Sequence, residues 1–200
     1  FFYKKHILKI LTTLFSMEEH LMKLLIGIIL AASLFLTILV ILGIHGLFSK
    51  VKVDIRKGGG EKAVLKAING DYKQCGKIMN EVYYSLLNNY GIETTLGFAV
   101  YYDNPKNTAR ENLRSEAGCI IDNQYSDRAS ELDKEFLVKT IESKEYITAE
   151  FPYKGQLSVL LGIIKVYPVL EKEAVKKGVK ADAPIMEIYD VPGKKIIYRK

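Results

Sequence analysis

Histidine is missing after residue 45: His6, His20 and His45 are the only three in the chain. The C-terminal three quarters can therefore build no Ser-His-Asp triad, no Cys–His dyad and no ordinary His/Cys zinc site. Cysteine is nearly as scarce. Cys75 and Cys119 are the only two, and they are expected to be reduced core thiols rather than a disulfide. The one glycine cluster, Gly58-Gly59-Gly60, is followed by no Lys-Ser/Thr pair, so it reads as a hinge rather than a phosphate loop. A basic block with interleaved aromatics is also absent. The formal charge is +6, but residues 62–200 hold 21 Lys+Arg against 19 Asp+Glu, only +2, while residues 1–61 hold 8 against 4, or +4. That distribution argues for no nucleic-acid partner.

What the chain does have is a 21-residue run without charge, Leu24 to Ile44. About 20 apolar residues at 1.5 Å each cross a hydrocarbon core of roughly 30 Å. Ser33 and Thr37 are its clearly polar side chains, and both can bond carbonyls of their own helix. A signal peptide has a shorter apolar core, about 7–15 residues, and ends in a small-x-small site. Residues 24–47 are therefore expected to be a transmembrane helix, with the lipid bilayer as partner. Lys50, Lys52, Arg56, Lys57 and Lys62 follow the run, whereas only Lys23 lies close before it; Lys4, Lys5 and Lys9 lie further off. The positive side faces the cytosol. The expectation is a single-pass protein with its N-terminus outside or lumenal and its domain in the cytosol, at the ER membrane in a eukaryote or the inner membrane in a bacterium. Residues 1–23 are read as a flank that need not be native, and residues 48–61 as a basic, Gly-rich linker.

Residues 62–200 are long enough for one domain with its own core. Ala63–Tyr72 reads as a strand. Cys75–Tyr90 is a helix, with Ile78, Val82, Leu86 and Tyr90 on one face and Gly91 as its cap. Thr95–Asp103 alternates, with Leu96, Phe98, Val100 and Tyr102 opposite Gly97, Ala99 and Tyr101. Leu113–Ile121 is a further strand, and a weaker helix is expected over Ser130–Glu142. Tyr146–Tyr153 is a strand. Gln156–Lys177 is a long helix, with Leu157, Leu160, Leu161 and Ile164 inward and Pro168 as an interruption. Ile185–Tyr189 and Lys195–Tyr198 close the chain. The order is βαββ twice. Asp71-Tyr72-Lys73 is echoed by Pro152-Tyr153-Lys154 after 81 residues, and Tyr102-Asp103 by Tyr189-Asp190 after 87. The fold class expected is α+β: an N-terminal transmembrane helix, then two βαββ pseudo-repeats, with both helices on one sheet face and the other face concave and open to a ligand.

This order resembles the GyrI-like small-molecule-binding family, a duplicated βαββ unit (the SHS2 repeat) around a central groove. AVYYDNP at Ala99–Pro105, AEFPY at Ala149–Tyr153, LSVLLGIIKVYPVLEK at Leu157–Lys172 and PIMEIYD at Pro184–Asp190 are similar to the membrane-anchored, testis-expressed ER-phagy receptor type within it. That type carries its autophagy motif in a long acidic tail beyond the domain. The aromatic-x-x-aliphatic matches here, Tyr83–Leu86 and Tyr84–Leu87, fall on a helix. Autophagy partners are expected only where such a tail exists.

Glu187 is an acid inside an apolar strand, which needs solvent, a cation or a hydrogen-bond partner. The resemblance implies that it anchors a cationic or polar ligand in the groove. Tyr102, Tyr153 and Tyr189 are the preferred wall residues, from a wider set with Tyr101 and Phe151; aromatic walls around one carboxylate suit cations and flat amphipathic molecules. The expected function is a membrane-anchored module holding a small molecule or peptide, with no catalytic residue, metal or cofactor. The alternatives are an ER-phagy receptor or adaptor and a Glu/Tyr-dependent hydrolase. Asp103 is expected to pair with Arg110 or Arg114.

Overall fold

The structure, a computed structural model, describes residues 2–180 and 182–200, apart from the side chains of residues 2–5 and 7–12. The side chains of Lys4, Lys5 and Lys9, counted in the charge bias, lie outside the described residues. Two compact bodies are present, one ending at Ile44 and one running from His45 to Lys200. The first is a single helix, α1 (Phe2–Ile44), of which Thr13–Ile44 is long and apolar enough to cross a membrane. The two hydroxyls of its uncharged run, residues 24–44, are satisfied within the helix: Ser33 donates to the Leu30 carbonyl at 2.8 Å and Thr37 to the Ser33 carbonyl at 2.9 Å. The helix stops at Ile44 rather than Leu47, because Gly46 turns the chain at φ +109°.

The second body is α+β, built on one antiparallel sheet of eight strands. In chain order its elements are β1 (Val53–Gly58), β2 (Lys62–Asn69), α2 (Gln74–Tyr90), β3 (Leu96–Tyr101), β4 (Arg114–Ile121), α3 (Ala129–Leu132), β5 (Leu137–Thr140), β6 (Lys144–Pro152), α4 (Gln156–Lys176), β7 (Ile185–Asp190) and β8 (Lys195–Arg199). The order across the sheet is β1-β6-β8-β7-β3-β4-β2-β5. The expected βαββ order is present in both halves, as β2-α2-β3-β4 and β6-α4-β7-β8, and β3 joins β7 between them.

Two short connectors force the sheet to curl. β1 and β2 are six places apart in the sheet, as are β5 and β6. Flat, six places would be roughly 29 Å. Only Gly59–Glu61 joins the first pair and Ile141–Ser143 the second, and each connector reaches roughly 14 Å at most. The sheet ends therefore approach each other, with the Gly60 amide donating to the Ile141 carbonyl (2.7 Å) and Arg199 bonding Glu61 at 2.9 Å. Residues 48–61 are thus not a linker: β1 is a paired strand, and the glycines form its corner. Gly59 sits at φ +96°, and a Cβ there would strike the Glu142 backbone, so flexibility is not its use.

α2 covers β2, β3 and β4 with Val82 and Leu86, each fully buried. It ends as expected at Gly91 (φ +62°), where the Gly91 amide reaches the Leu87 carbonyl and the Ile92 amide the Leu86 carbonyl. α4 covers β6, and it stays helical through Pro168. Its inward face is Ser158, Leu161, Gly162, Val166, Leu170 and Ala174, whereas Leu160 and Ile164, expected inward, are 53% and 60% exposed. Residues 130–142 do not form one helix. Ala129–Leu132 is helical, but Leu137–Thr140 is a strand that satisfies the open backbone edge of β2. Cys75 and Cys119 are free and buried.

Candidate functional site

The alternation along β7 decides where its acid goes. Ile188 points to the helix-free face, so Glu187 and Tyr189 point towards the helices. Glu187 is 1% exposed. Its register partners are Ala99 on β3 and Tyr198 on β8. Three hydroxyls donate to the carboxylate. Tyr167 of α4 reaches Oε1 at 2.8 Å, Tyr101 of β3 reaches Oε2 at 3.3 Å, and Tyr189 of β7 makes a short bond to Oε2. No Lys or Arg among the described residues forms an ion pair with it.

Burial raises the Glu187 pKa, against the pull of the hydrogen bonds from Tyr189, Tyr167 and Tyr101. The three tyrosines are pushed well above their ordinary value, first by burial and then by the neighbouring carboxylate. All three phenols are therefore protonated donors at neutral pH. Further rings extend the cluster. Tyr153 meets Tyr189 edge-on at 5.5 Å, Tyr72 meets Tyr101 at 4.9 Å, and Tyr167 meets Tyr198 at 6.0 Å. Small residues allow the close fit: a Cβ on Gly162 of α4 would strike the Tyr198 hydroxyl, and one on Gly97 of β3 would strike the Met79 sulfur.

The residues expected to share one groove are divided between two faces. Glu187, Tyr189 and Tyr153 are together beneath the helices. Tyr102 is not with them, because alternation along β3 sends it to the opposite face. There it lines a cleft of about 470 Å³ in the concave side of the curled sheet, above Leu65, Phe98 and Val100. Its hydroxyl is pushed up to about 12 by burial and by Glu116, which pairs with Lys139 at 2.5 Å. The helix-free face is thus concave as expected, but the carboxylate is not in it. Phe151 is core under α4, at 1% exposure. Tyr101 and Tyr167 complete the carboxylate's shell. Tyr101 ranked below Tyr102 as a wall residue on sequence grounds, and Tyr167 had no place in the expected site at all.

The remaining expectations resolve simply. Asp103 pairs with Arg114 (2.8 Å), while Arg110 pairs with Asp71. In the first aromatic-x-x-aliphatic match Leu86 is fully buried; in the second, Tyr84 and Leu87 are both exposed on α2. Among the described residues no group of three or more His, Cys, Asp or Glu is arranged to hold a metal.

No protein-family model matches the sequence, and no curated protein matches it. Similar folds do occur among solved structures. One is EcmrR in the cryo-EM structure of its DNA complex in EcmrR-RPo, at TM-score 0.54 and 12% identity, covering 74% of this chain and 56% of that one. This chain thus spans little more than half of that protein's length. The crystal structure of the EcmrR C-terminal domain matches at TM-score 0.52 and 10% identity, covering 74% of this chain and 95% of that one. SAV2435 bound to tetraphenylphosphonium matches at 0.46 and 13% identity, over 74% and 92%. The EcmrR likeness is one of fold. It corrects one expectation: the DNA complex overturns the exclusion of a nucleic-acid partner, which rested on charge distribution alone.

Proposed function

We propose that residues 45–200 bind a lipophilic organic cation at Glu187, in a GyrI-like domain of two βαββ pseudo-repeats held at a membrane by α1. One observation carries the reading: a buried carboxylate receives three tyrosine hydroxyls and, among the described residues, no ion pair with a Lys or Arg. Burying a carboxylate is costly unless it is paired or protonated. Empty, the site holds its proton more readily than an exposed carboxyl does. A cation with aromatic or alkyl substituents would pair with the ionised form and pack on the rings of Tyr101, Tyr167 and Tyr189. Tyr101 and Tyr167 are the partly exposed members of the shell, so the proposed route of entry runs past them.

The anchor reading rests on the length and apolarity of Thr13–Ile44 and on the cations that follow it. It puts the N-terminus outside or in the lumen and residues 45–200 in the cytosol. Nothing in the cluster requires catalysis. Glu187-dependent turnover of electrophilic ring substrates would replace the binding reading with the hydrolase one.

The test is titration of tetraphenylphosphonium into the full chain in detergent, with the neutral triphenylphosphine oxide alongside. The cation should bind, the neutral probe should bind far more weakly, and Glu187→Gln should weaken cation binding about tenfold or more, a change of at least 1.4 kcal/mol. Equal affinities for the two probes would sink the reading. Because EcmrR, of similar fold, is seen in a complex with DNA, a labelled duplex belongs in the same titration series.

A further inference from the structure

Strand β1 ends the sheet with one edge unpaired. Among the described residues β6 is its strand partner, in the register Val53↔Ala149 to Gly58↔Lys144, and β1 forms no ladder with β5 at the other end. The far side of β6 shows which backbone groups this leaves open. The Ile147 amide donates to the Lys200 carbonyl at 2.9 Å, and the Lys200 amide donates to the Ile147 carbonyl at 3.0 Å. Ile147 thus turns both backbone groups towards the β8 side. In an antiparallel ladder the residue opposite it, Ile55, then turns its own N–H and C=O away from β6. By alternation Val53 and Lys57 do the same. Asp54, Ile55, Arg56 and Lys57 are all exposed, Ile55 at 48%.

An open edge is a template for another strand, and charges along it are the usual guard. Here the order of the charges selects a partner instead. We infer that β1 pairs antiparallel with β1 of a second copy, about a two-fold axis at Ile55. In such a ladder outward-turned residues must meet outward-turned residues, so a symmetric pairing is centred on a residue and not between two. Centred on Asp54, it sets that acid against the partner's Asp54 and Arg56 against the partner's Lys52. Centred on Arg56, it sets that cation against the partner's Arg56. Like charges directly opposite each other repel. Centres nearer either end leave much of the strand unpaired. Centred on Ile55, the pairing sets Asp54 against the partner's Arg56 on both sides of the axis, Val53 against the partner's Lys57, and Ile55 against its own copy. This register opposes no like charges, engages every outward-turned residue from Val53 to Lys57, and covers the exposed apolar side chain. Within one copy Arg56 already bonds Asp54 at 2.9 Å and Glu150 at 2.6 Å, so the pairing joins two ion clusters of alternating sign.

Charge exchange in the full chain, in detergent and read by sedimentation, tests the pairing. Wild type should sediment as a dimer. Asp54→Arg sets arginine against arginine and Arg56→Asp sets aspartate against aspartate, so each variant alone should be monomeric. Mixed in equal amounts the two are complementary again and should form a heterodimer. Mixing alters neither chain, so this rescue separates lost pairing from lost folding. Ile55→Cys should also cross-link to its copy under mild oxidation, because residues facing each other in a hydrogen-bonded pair lie roughly 5.5 Å apart at Cα, within disulfide reach. Tyr84→Cys, at an exposed position on α2, should not, and the native Cys75 and Cys119 are buried. A monomeric wild type overturns the inference. A dimer that persists in both charge variants also overturns it, because the association then lies elsewhere, α1 included. Variants that stay monomeric when mixed, or an Ile55→Cys chain that cross-links no better than Tyr84→Cys, overturn it as well.

Discussion

At the scale of single residues, the chemistry depends on the proton of Glu187. Its folded pKa lies above the ordinary carboxylate range because burial outweighs three hydrogen bonds. The folded state therefore holds this proton more tightly than the unfolded chain does. Stability from this source is fully present below the unfolded carboxylate pKa and is lost as pH rises through the raised folded value. Thermal melts of wild type and Glu187→Gln should therefore diverge, the wild type falling relative to the variant across that window. Parallel profiles would show that the carboxylate is not buried as described. Tyr167→Phe removes a donor that stabilises the ionised form, so the midpoint of that fall should move to higher pH. The acid itself was legible in the sequence, as a charged residue between Met186 and Ile188. Its partners were not. Tyr101 and Tyr102 are adjacent, and only the pairing of Ala99 with Glu187 across β3 and β7 shows which one shares the acid's face.

Among the elements, tight contacts make sharp predictions. At Gly118, in the middle of β4, a Cβ would strike the Val64 carbonyl of β2, and backbone cannot step aside. Gly118→Ala should destabilise by about 1–3 kcal/mol in denaturant titration. Lys165→Met should remove the lysine donor from the carbonyls of Leu47 and Ser49, while the Gly46 carbonyl keeps the Ser49 amide, at a cost of about 1–3 kcal/mol. In urea this should lower the midpoint without changing the slope. Strands and helices with clean periodicity were readable: α2 and β3 lie within a residue or two of their expected bounds. α4 was readable as a helix but not in its facing. Its bulky residues suggested one inward side, whereas small Ser158 and Gly162 mark the side that approaches the sheet. Tyr167 was missed for the same reason. β1 was hidden by its glycines and charges, since an edge strand with Asp54, Arg56 and Lys57 looks like a linker until β6 is placed beside it.

The molecule as a whole joins an apolar helix of membrane-crossing length to a curled sheet with a buried acid under its helices. The curl follows from two three-residue connectors, and it leaves two unlike faces: a concave one with Tyr102 and the Glu116–Lys139 pair, and a helix-covered one with Glu187. Only the second combines burial, a lone carboxylate and converging aromatic donors, so the functional reading is placed there. Below the raised Glu187 pKa, that reading makes cation binding a proton exchange, because the acid ionises as the cation enters. Calorimetric titration of the full chain with tetraphenylphosphonium, in buffers of differing ionisation enthalpy, measures this directly. The account predicts that, below the raised pKa, up to one proton leaves for each cation bound, that affinity rises with pH, and that both effects vanish in Glu187→Gln. Binding that releases no proton and is unchanged in the variant would contradict it.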